Sequence, residues 1–317
     1  MPAPANDRKA RTRRWFAGFR ERETWAAYAF LSPWIIGFLV FMGGPMVISF
    51  VLSLTDYDAI GDTRNVGWAN YEKLLSDPKI RTSLANTMIY TVLAVPATMI
   101  VSLTLASMLH RVGRRSAGVF RTLFYLPEVT PKVAVGVLFL LLFNGQVGLV
   151  NGALGLVGID GPQWSTDPNW VKPGLVLMDI WSVGGTVIIY LAALNNVPRD
   201  LYEAAALDGV SAWQRFRHIT LPMISGALFF TLIVQTIYKL QTFDEAYTAF
   251  YGSAASAQYS NDAALFYLVY LFQQAFQFLH MGFASAMAWL LFVVIMIITI
   301  IQVRVSNRFV YYEGGDR

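Results

Sequence analysis

The chain has 317 residues, 56% of them hydrophobic and only 14% charged, where a soluble domain carries roughly 25% charged residues. Without cysteine it has no disulfide, thiolate nucleophile or cysteine metal site, and its three histidines, His110, His218 and His280, stand apart at no metal-ligand spacing, so no metal site is expected. The net charge of +4 would suggest nucleic acid for a soluble protein, but here the cations mark one side of a bilayer and no nucleic-acid partner is expected.

The first 25 residues are polar and rich in arginine, including Arg8, Arg11, Arg13, Arg14 and Arg20. An uncharged stretch from Thr24 to Thr55 follows, too long for the apolar core of a cleavable signal peptide, which predicts a retained first span over about 27–53. A second uncharged run covers Thr82 to Leu109. A third apolar segment, about 122–143, contains Pro127, Glu128, Pro131 and Lys132 near its start, which predicts a kinked or broken helix. Glu128 and Lys132 stand four residues apart with the acid first, so they read as a helical ion pair, with a hinge at the prolines as the alternative.

The fourth span, about 174–195, carries Asp179, which reads either as functional or as a residue near the outer headgroups. The fifth begins at Pro222 and reaches the polar cluster from Lys239 to Glu245. The final apolar region, Ala263 to Val303, holds no charged residue and is too long for one straight crossing at about 1.5 Å per residue. Gln273, Gln274, Gln277 and His280 make its first part an interfacial helix and leave about 282–303 as the sixth span.

Charge bias decides between six and seven crossings. With six spans and both termini cytoplasmic, inner segments hold 17 of the 24 Lys and Arg, including Arg304 and Arg308 directly after the last span. The expected fold is therefore all-α and polytopic, with a cytoplasmic segment 1–25, a transmembrane domain 26–304 and a cytoplasmic tail 305–317.

The inner loop 196–221 has more internal order than a tether needs. Asp200 and Glu203 read as a reciprocal cap of a first helix, Gly209 as its permissive end, and Ser211 with Gln214 as the cap of a second helix ending at Pro222. A helix of about eight residues falls short of the roughly 12 needed for marginal stability in water, so other contacts must hold it. Ala204, Ala205 and Ala206 permit close approach to a groove, and Glu203 offers a fixed charge to a basic partner.

The order Glu203-Ala204-Ala205, then Gly209, then Ile219, Leu221 and Pro222, with Asp208 before the glycine, resembles the cytoplasmic signature of ABC importer permeases, in particular the carbohydrate type related to maltose and glycerol-3-phosphate permeases. Ser32-Pro33, Gly67 with Asn70-Tyr71, Asn86-Thr87 and Gly148 with Asn151 extend the resemblance over about residues 28–304. Where the family usually has a Gly-Gly-Pro turn after span five, this chain has Gly252-Ser253-Ala254-Ala255-Ser256. The resemblance implies a type I importer fold in a prokaryotic plasma membrane, and a Glu203–Gly209 helix docked in a separate ATPase subunit. It also implies a second homologous permease, two ATP-binding subunits carrying ATP and Mg, and an extracytoplasmic solute-binding protein. The chain has no G-x-x-x-x-G-K-[ST] phosphate loop of its own, so no cofactor is expected on it.

Polar groups inside spans cost free energy and usually face a cavity or a partner. Gln235, Tyr238, Lys239 and Thr242 follow helical spacing and read as one face lining a pathway for a polyhydroxylated solute. Trp181, Gly185 and Tyr190 in span four read as further pathway residues, with packing against a second subunit as the alternative, and Gly184 and Gly185 allow close approach of a neighbouring helix or the solute. The solute classes are a sugar or a phosphorylated polyol. No constellation of acids, bases and nucleophile suggests an enzyme, while a secondary transporter or channel would need no ATPase.

Overall fold

The computed structural model describes residues 22–58, 63–111, 114–251 and 262–306, all helical apart from short connections and isolated bridges. The basic segment before Arg22, the Gly252–Ser256 departure and Arg308 lie outside the described residues.

Helices α1 (Arg22–Phe38) and α2 (Gly44–Ser53) join through a π turn at Leu39–Gly43. Two short connections and α3 (Ala69–Ser76) lead to α4 (Pro78–Arg111), whose 34 residues span about 51 Å at 1.5 Å per residue. Next come α5 (Arg114–Tyr125), a 3-10 turn at Pro127–Val129, α6 (Lys132–Leu142) and α7 (Leu149–Leu156). The chain continues through α8 (Val171–Trp181), α9 (Gly184–Asn195), α10 (Arg199–Leu207) and α11 (Ala212–Arg215). A π turn at Phe216–Thr220 connects to α12 (Leu221–Met223), α13 (Ser225–Leu240) and α14 (Asp244–Phe250). The last elements are α15 (Tyr267–Phe272), a π turn at Gln273–Gln277 and α16 (Met281–Ser306).

Among the described residues, three straight segments are long and apolar enough to cross a membrane: Ala27–Ser53, Pro78–Arg111 and Met281–Ser306. Three further candidates are bent pairs, by 95° between α5 and α6, 54° between α8 and α9, and 67° between the α11–α12 stretch and α13. The predicted third, fourth and fifth spans are thus broken.

Helix α4 is the central post, packing against α8, α9, α13 and α15. One apolar cluster surrounds Tyr90, Phe139, Leu175, Phe266 and Met287, and a second surrounds Ala106, Leu109, Val187, Tyr190 and Ile224. Thr87, Thr91 and Thr98 of α4 return their hydroxyls to carbonyls four residues back, so these three hydroxyls are buried with a partner, while the buried Ser102 hydroxyl has none. Asn86 donates to the Asp262 and Leu265 carbonyls, and the Thr87 hydroxyl accepts from the Tyr267 amide, tying α4 to the start of α15. Two glycines set helix distances. A methyl group at Gly184 would collide with the Phe124 carbonyl, and one at Gly282 with the Thr55 carbonyl. Gly184 thus serves helix packing, one of the two roles expected of it.

The first span meets the rest mainly through α2 on α16. Along α1 and the following turn, Phe30 (87%), Trp34 (70%) and Phe41 (79%) remain exposed, a surface suited to lipid or a neighbouring subunit and not to water.

Candidate functional site

Two of the bent breaks and a third interruption, between α13 and α14, converge on one cavity of about 380 Å³. The break between α5 and α6 contributes Glu128 and Lys132, the break between α8 and α9 contributes Asp179 and Ser182, and the end of α13 contributes Gln235, Tyr238 and Lys239. Beyond Leu240, the turn and α14 add Gln241, Thr242, Phe243, Asp244 and Glu245, while Thr98 faces the cavity from α4. Irregular backbone at membrane depth is tolerated where it lines a cavity, and broken helices supply polar termini for binding solutes.

The charges in this cavity are largely matched. Lys239 Nζ lies 2.6 Å from Asp179 Oδ1, with both side chains buried, and the Tyr90 hydroxyl donates to Asp179 Oδ2. The Lys239 ammonium also stands 5.9 Å from the Tyr90 ring centroid, within cation–π range, and it sits in the last turn of α13, where the helix dipole favours a cation. Asp179 is therefore a buried ion-pair partner.

Lys132 does not pair with Glu128. Thr130 and Pro131 are extended, so the two residues share no helix, and Lys132 Nζ lies 4.0 Å from Glu245 Oε1 instead. Glu128 packs beside Gly185, where an added methyl would make ordinary contact with the carboxyl group. Four carboxylates against two ammonium groups leave the lining with a formal charge of −2.

The expected stripe in span five is only partly one helical face. Its helix ends at Leu240, so Thr242 is delivered to the cavity by the following turn. Gln235 donates to Thr186 Oγ1 at 3.0 Å, and Tyr238 is exposed over 66% of its surface. Tyr190 is fully buried and hydrogen-bonded to Thr231 Oγ1 at 2.6 Å, away from the cavity lining, so it packs α9 against α13. Trp181 is half-exposed and also outside the lining, and Gly185 reaches the cavity edge through Glu128. The lining residues that sequence reasoning did not single out as site residues are Thr98, Ser182, Gln241, Phe243, Asp244 and Glu245. For Gln241, Phe243, Asp244 and Glu245 the signal was the density of polar groups at the end of span five, and Thr98 and Ser182 had none.

The loop between α9 and α13 forms the predicted helix, turn, helix. Gly209 has φ +70, the Val210 amide bonds to the Ala205 carbonyl at 3.0 Å and the Gly209 amide to Ala206 at 3.2 Å, which together make a Schellman end. Ser211 and Gln214 form the expected capping box. Asp200 and Glu203 do not: α10 begins at Arg199 after Pro198, so Asp200 is already inside the first helical turn and cannot cap it. Ala205 is buried and the Tyr202 hydroxyl bonds to Thr220 Oγ1 at 2.9 Å, fixing the two arms to each other. Glu203, Ala204, Ala206 and Asp208 face outward, beside Leu207 at 91% and Trp213 at 67% exposure. Ile219 and Leu221 are half-buried where the second arm joins α12, and Pro222 starts that junction.

Residues 98–311 match the family described as binding-protein-dependent transport system inner membrane component. The chain is 38% identical over 93% of its length, and 94% of the relative's, to a probable ABC transporter permease protein, YesP, of Bacillus subtilis (strain 168). It is 35% identical to the lactose transport system permease protein LacF of Rhizobium radiobacter, covering 87% of this chain and 92% of the relative. Its fold matches a chain in a crystal structure of a bacterial ABC transporter involved in import of the acidic polysaccharide alginate, with TM-score 0.79 and 24% identity over 94% of this chain and all of that one. The chain belongs to the binding-protein-dependent permease family of ABC importers; it is a multi-pass inner-membrane transport component and not a catalytic subunit.

Proposed function

We propose that this permease forms half of the pathway of an importer for a neutral saccharide, and that its cavity at these three helix interruptions is where the solute passes. The observation that carries this reading is that both cavity ammonium groups are matched by carboxylates, Lys239 by Asp179 and Lys132 by Glu245. A phosphorylated polyol or acidic sugar would compete with Asp179 and Glu245 for these two ammonium groups and would enter a field of formal charge −2. A neutral polyol needs instead hydrogen-bonding groups and a ring surface, which Gln235, Ser182, Thr242, Gln241 and Tyr238 supply. The lactose-system relative supports the same class.

In this reading each bent pair is one span, giving six crossings with both termini cytoplasmic, a membrane domain over 26–304 and flanking cytoplasmic segments 1–25 and 305–317. Loop 196–221 then faces two ATP-binding subunits, which carry the ATP and Mg, and seats its exposed α10 surface in one of them. A second homologous permease completes the pathway, and an extracytoplasmic binding protein delivers the solute.

The test is uptake by the complex reconstituted with its partner subunits and binding protein. Uptake of a neutral saccharide such as lactose or an arabino-oligosaccharide, with glycerol-3-phosphate excluded, supports the reading. Uptake of glycerol-3-phosphate in preference to every neutral saccharide overturns it.

A further inference from the structure

A second cavity, of about 410 Å³, lies at the end of the bundle that carries the coupling loop. His110 and Arg111 from the last turn of α4 and Arg215 from α11 line it together with Tyr202 of α10, and its lining contains no carboxylate. Among the described residues neither guanidinium forms an ion pair, and His110 Nδ1 is joined to Asn195 Oδ1 at 3.1 Å.

Two like charges lining one cavity repel. The carbonyl end of α4 supplies about half a negative charge and the nearby end of α9 about the same, which together offset one guanidinium and leave the other unmatched. We propose that this cavity binds a phosphate group, either from an anionic lipid headgroup or from a soluble phosphate. Two planar guanidinium forks arriving from separate elements suit an acceptor with oxygens in several directions, which a tetrahedral phosphate has and a planar carboxylate lacks. The approach is apolar on the bundle's exterior, where Ile100 and Met108 of α4 are exposed just ahead of Arg111. A lipid lying along that face would bring its headgroup to the cavity, as basic pockets at the inner leaflet do. The bound group would bridge the end of α4 to α11 and so brace the coupling loop against the central helix. The lipid source rests on the membrane orientation given above; the phosphate chemistry does not.

The experiment uses the intact complex in nanodiscs of phosphatidylcholine alone or with phosphatidylglycerol, with native mass spectrometry of retained lipid and thermal unfolding as readouts. The wild type is compared with Arg111→Gln/Arg215→Gln and with Arg111→Lys/Arg215→Lys. Retention of phosphatidylglycerol that falls about tenfold in the Gln variant and only partly in the Lys variant supports the site with a lipid ligand. If inorganic phosphate added to phosphatidylcholine nanodiscs stabilises the wild type but not the Gln variant, the ligand is soluble. If the Gln variant unfolds at the wild-type temperature in phosphatidylcholine, and neither phosphatidylglycerol nor phosphate distinguishes it from the wild type, the proposal is wrong. If the Gln variant does not fold, the wild type and the Lys variant decide: retention of phosphatidylglycerol over phosphatidylcholine, or stabilisation by added phosphate, that is present in the wild type and weaker in the Lys variant supports the site, and neither preference in the wild type overturns it.

Discussion

Lys239 and Asp179 form a buried ion pair across two helix breaks, with the ammonium 2.6 Å from a carboxylate that also accepts from Tyr90. The pair joins the end of α13 to the end of α8 and draws in α4, so three elements of the cavity wall depend on one charge match.

Removing one partner strands a charge. Lys239→Met leaves Asp179 buried and unmatched, at a cost of about 3 to 5 kcal/mol, visible as a lower unfolding temperature in detergent. The triple variant Tyr90→Phe/Asp179→Leu/Lys239→Met removes both charges and the tyrosine hydroxyl together and returns most of that stability, because no buried charge is left unpaired. A triple variant no more stable than Lys239→Met would show that the pair is not the structural unit described.

Gly184→Ala and Gly282→Ala each place a methyl against backbone, at Phe124 and Thr55. Backbone cannot swing aside, so each substitution costs about 1 to 3 kcal/mol, measurable by thermal unfolding. Gly152→Ala, where an added methyl meets nothing, is the control and leaves stability within about 0.5 kcal/mol.

Gly209→Ala strains a left-handed position and weakens the end of α10 by about 1 kcal/mol, while Gly209→Pro also removes the amide that bonds to Ala206. Uptake per ATP hydrolysed falls in the order wild type, Ala, Pro, with the chain still inserted. Glu203→Lys reverses a charge on the exposed face and lowers co-purification of the ATPase. Equal coupling in all of these variants would remove this loop from energy transmission.

Gln235→Leu and Gln241→Leu keep the bulk of two cavity residues and delete their hydrogen-bonding groups. Loss of one such bond to a solute hydroxyl costs about 0.5 to 1.5 kcal/mol, or roughly two- to tenfold in apparent solute affinity. ATP hydrolysis without solute should stay unchanged, which separates this effect from damage to the coupling loop.

Local rules carried the coupling loop almost completely: Gly209 and the Ser211–Gln214 box occupy the positions that short-range chemistry predicts. The helix starts at Arg199 and not after Asp200 because Pro198 sets the preceding backbone, which left the Asp200–Glu203 cap unmade. The cavity was less legible because its matches are long-range. Lys132 finds Glu245 and Asp179 finds Lys239 across chain distances that no helical period encodes. Spacing alone ran the span-five stripe through Thr242, although the helix stops at Leu240 and the following turn performs the delivery. Proline marked the break before α6, but the 95° angle depends on extended backbone at Thr130 and Pro131 and on what α6 packs against.

Because the chain has no native cysteine, single cysteines report without background. The most direct measurement is labelling of Tyr238→Cys by a membrane-impermeant maleimide in the reconstituted complex, from each side of the bilayer, at rest and with the ATPase trapped by ATP and vanadate. The pathway assignment predicts aqueous labelling from one side at rest and from the opposite side in the trapped state, while Tyr190→Cys stays unlabelled in both. Labelling of Tyr238→Cys that never changes sides, or that requires a membrane-permeant reagent, would contradict it.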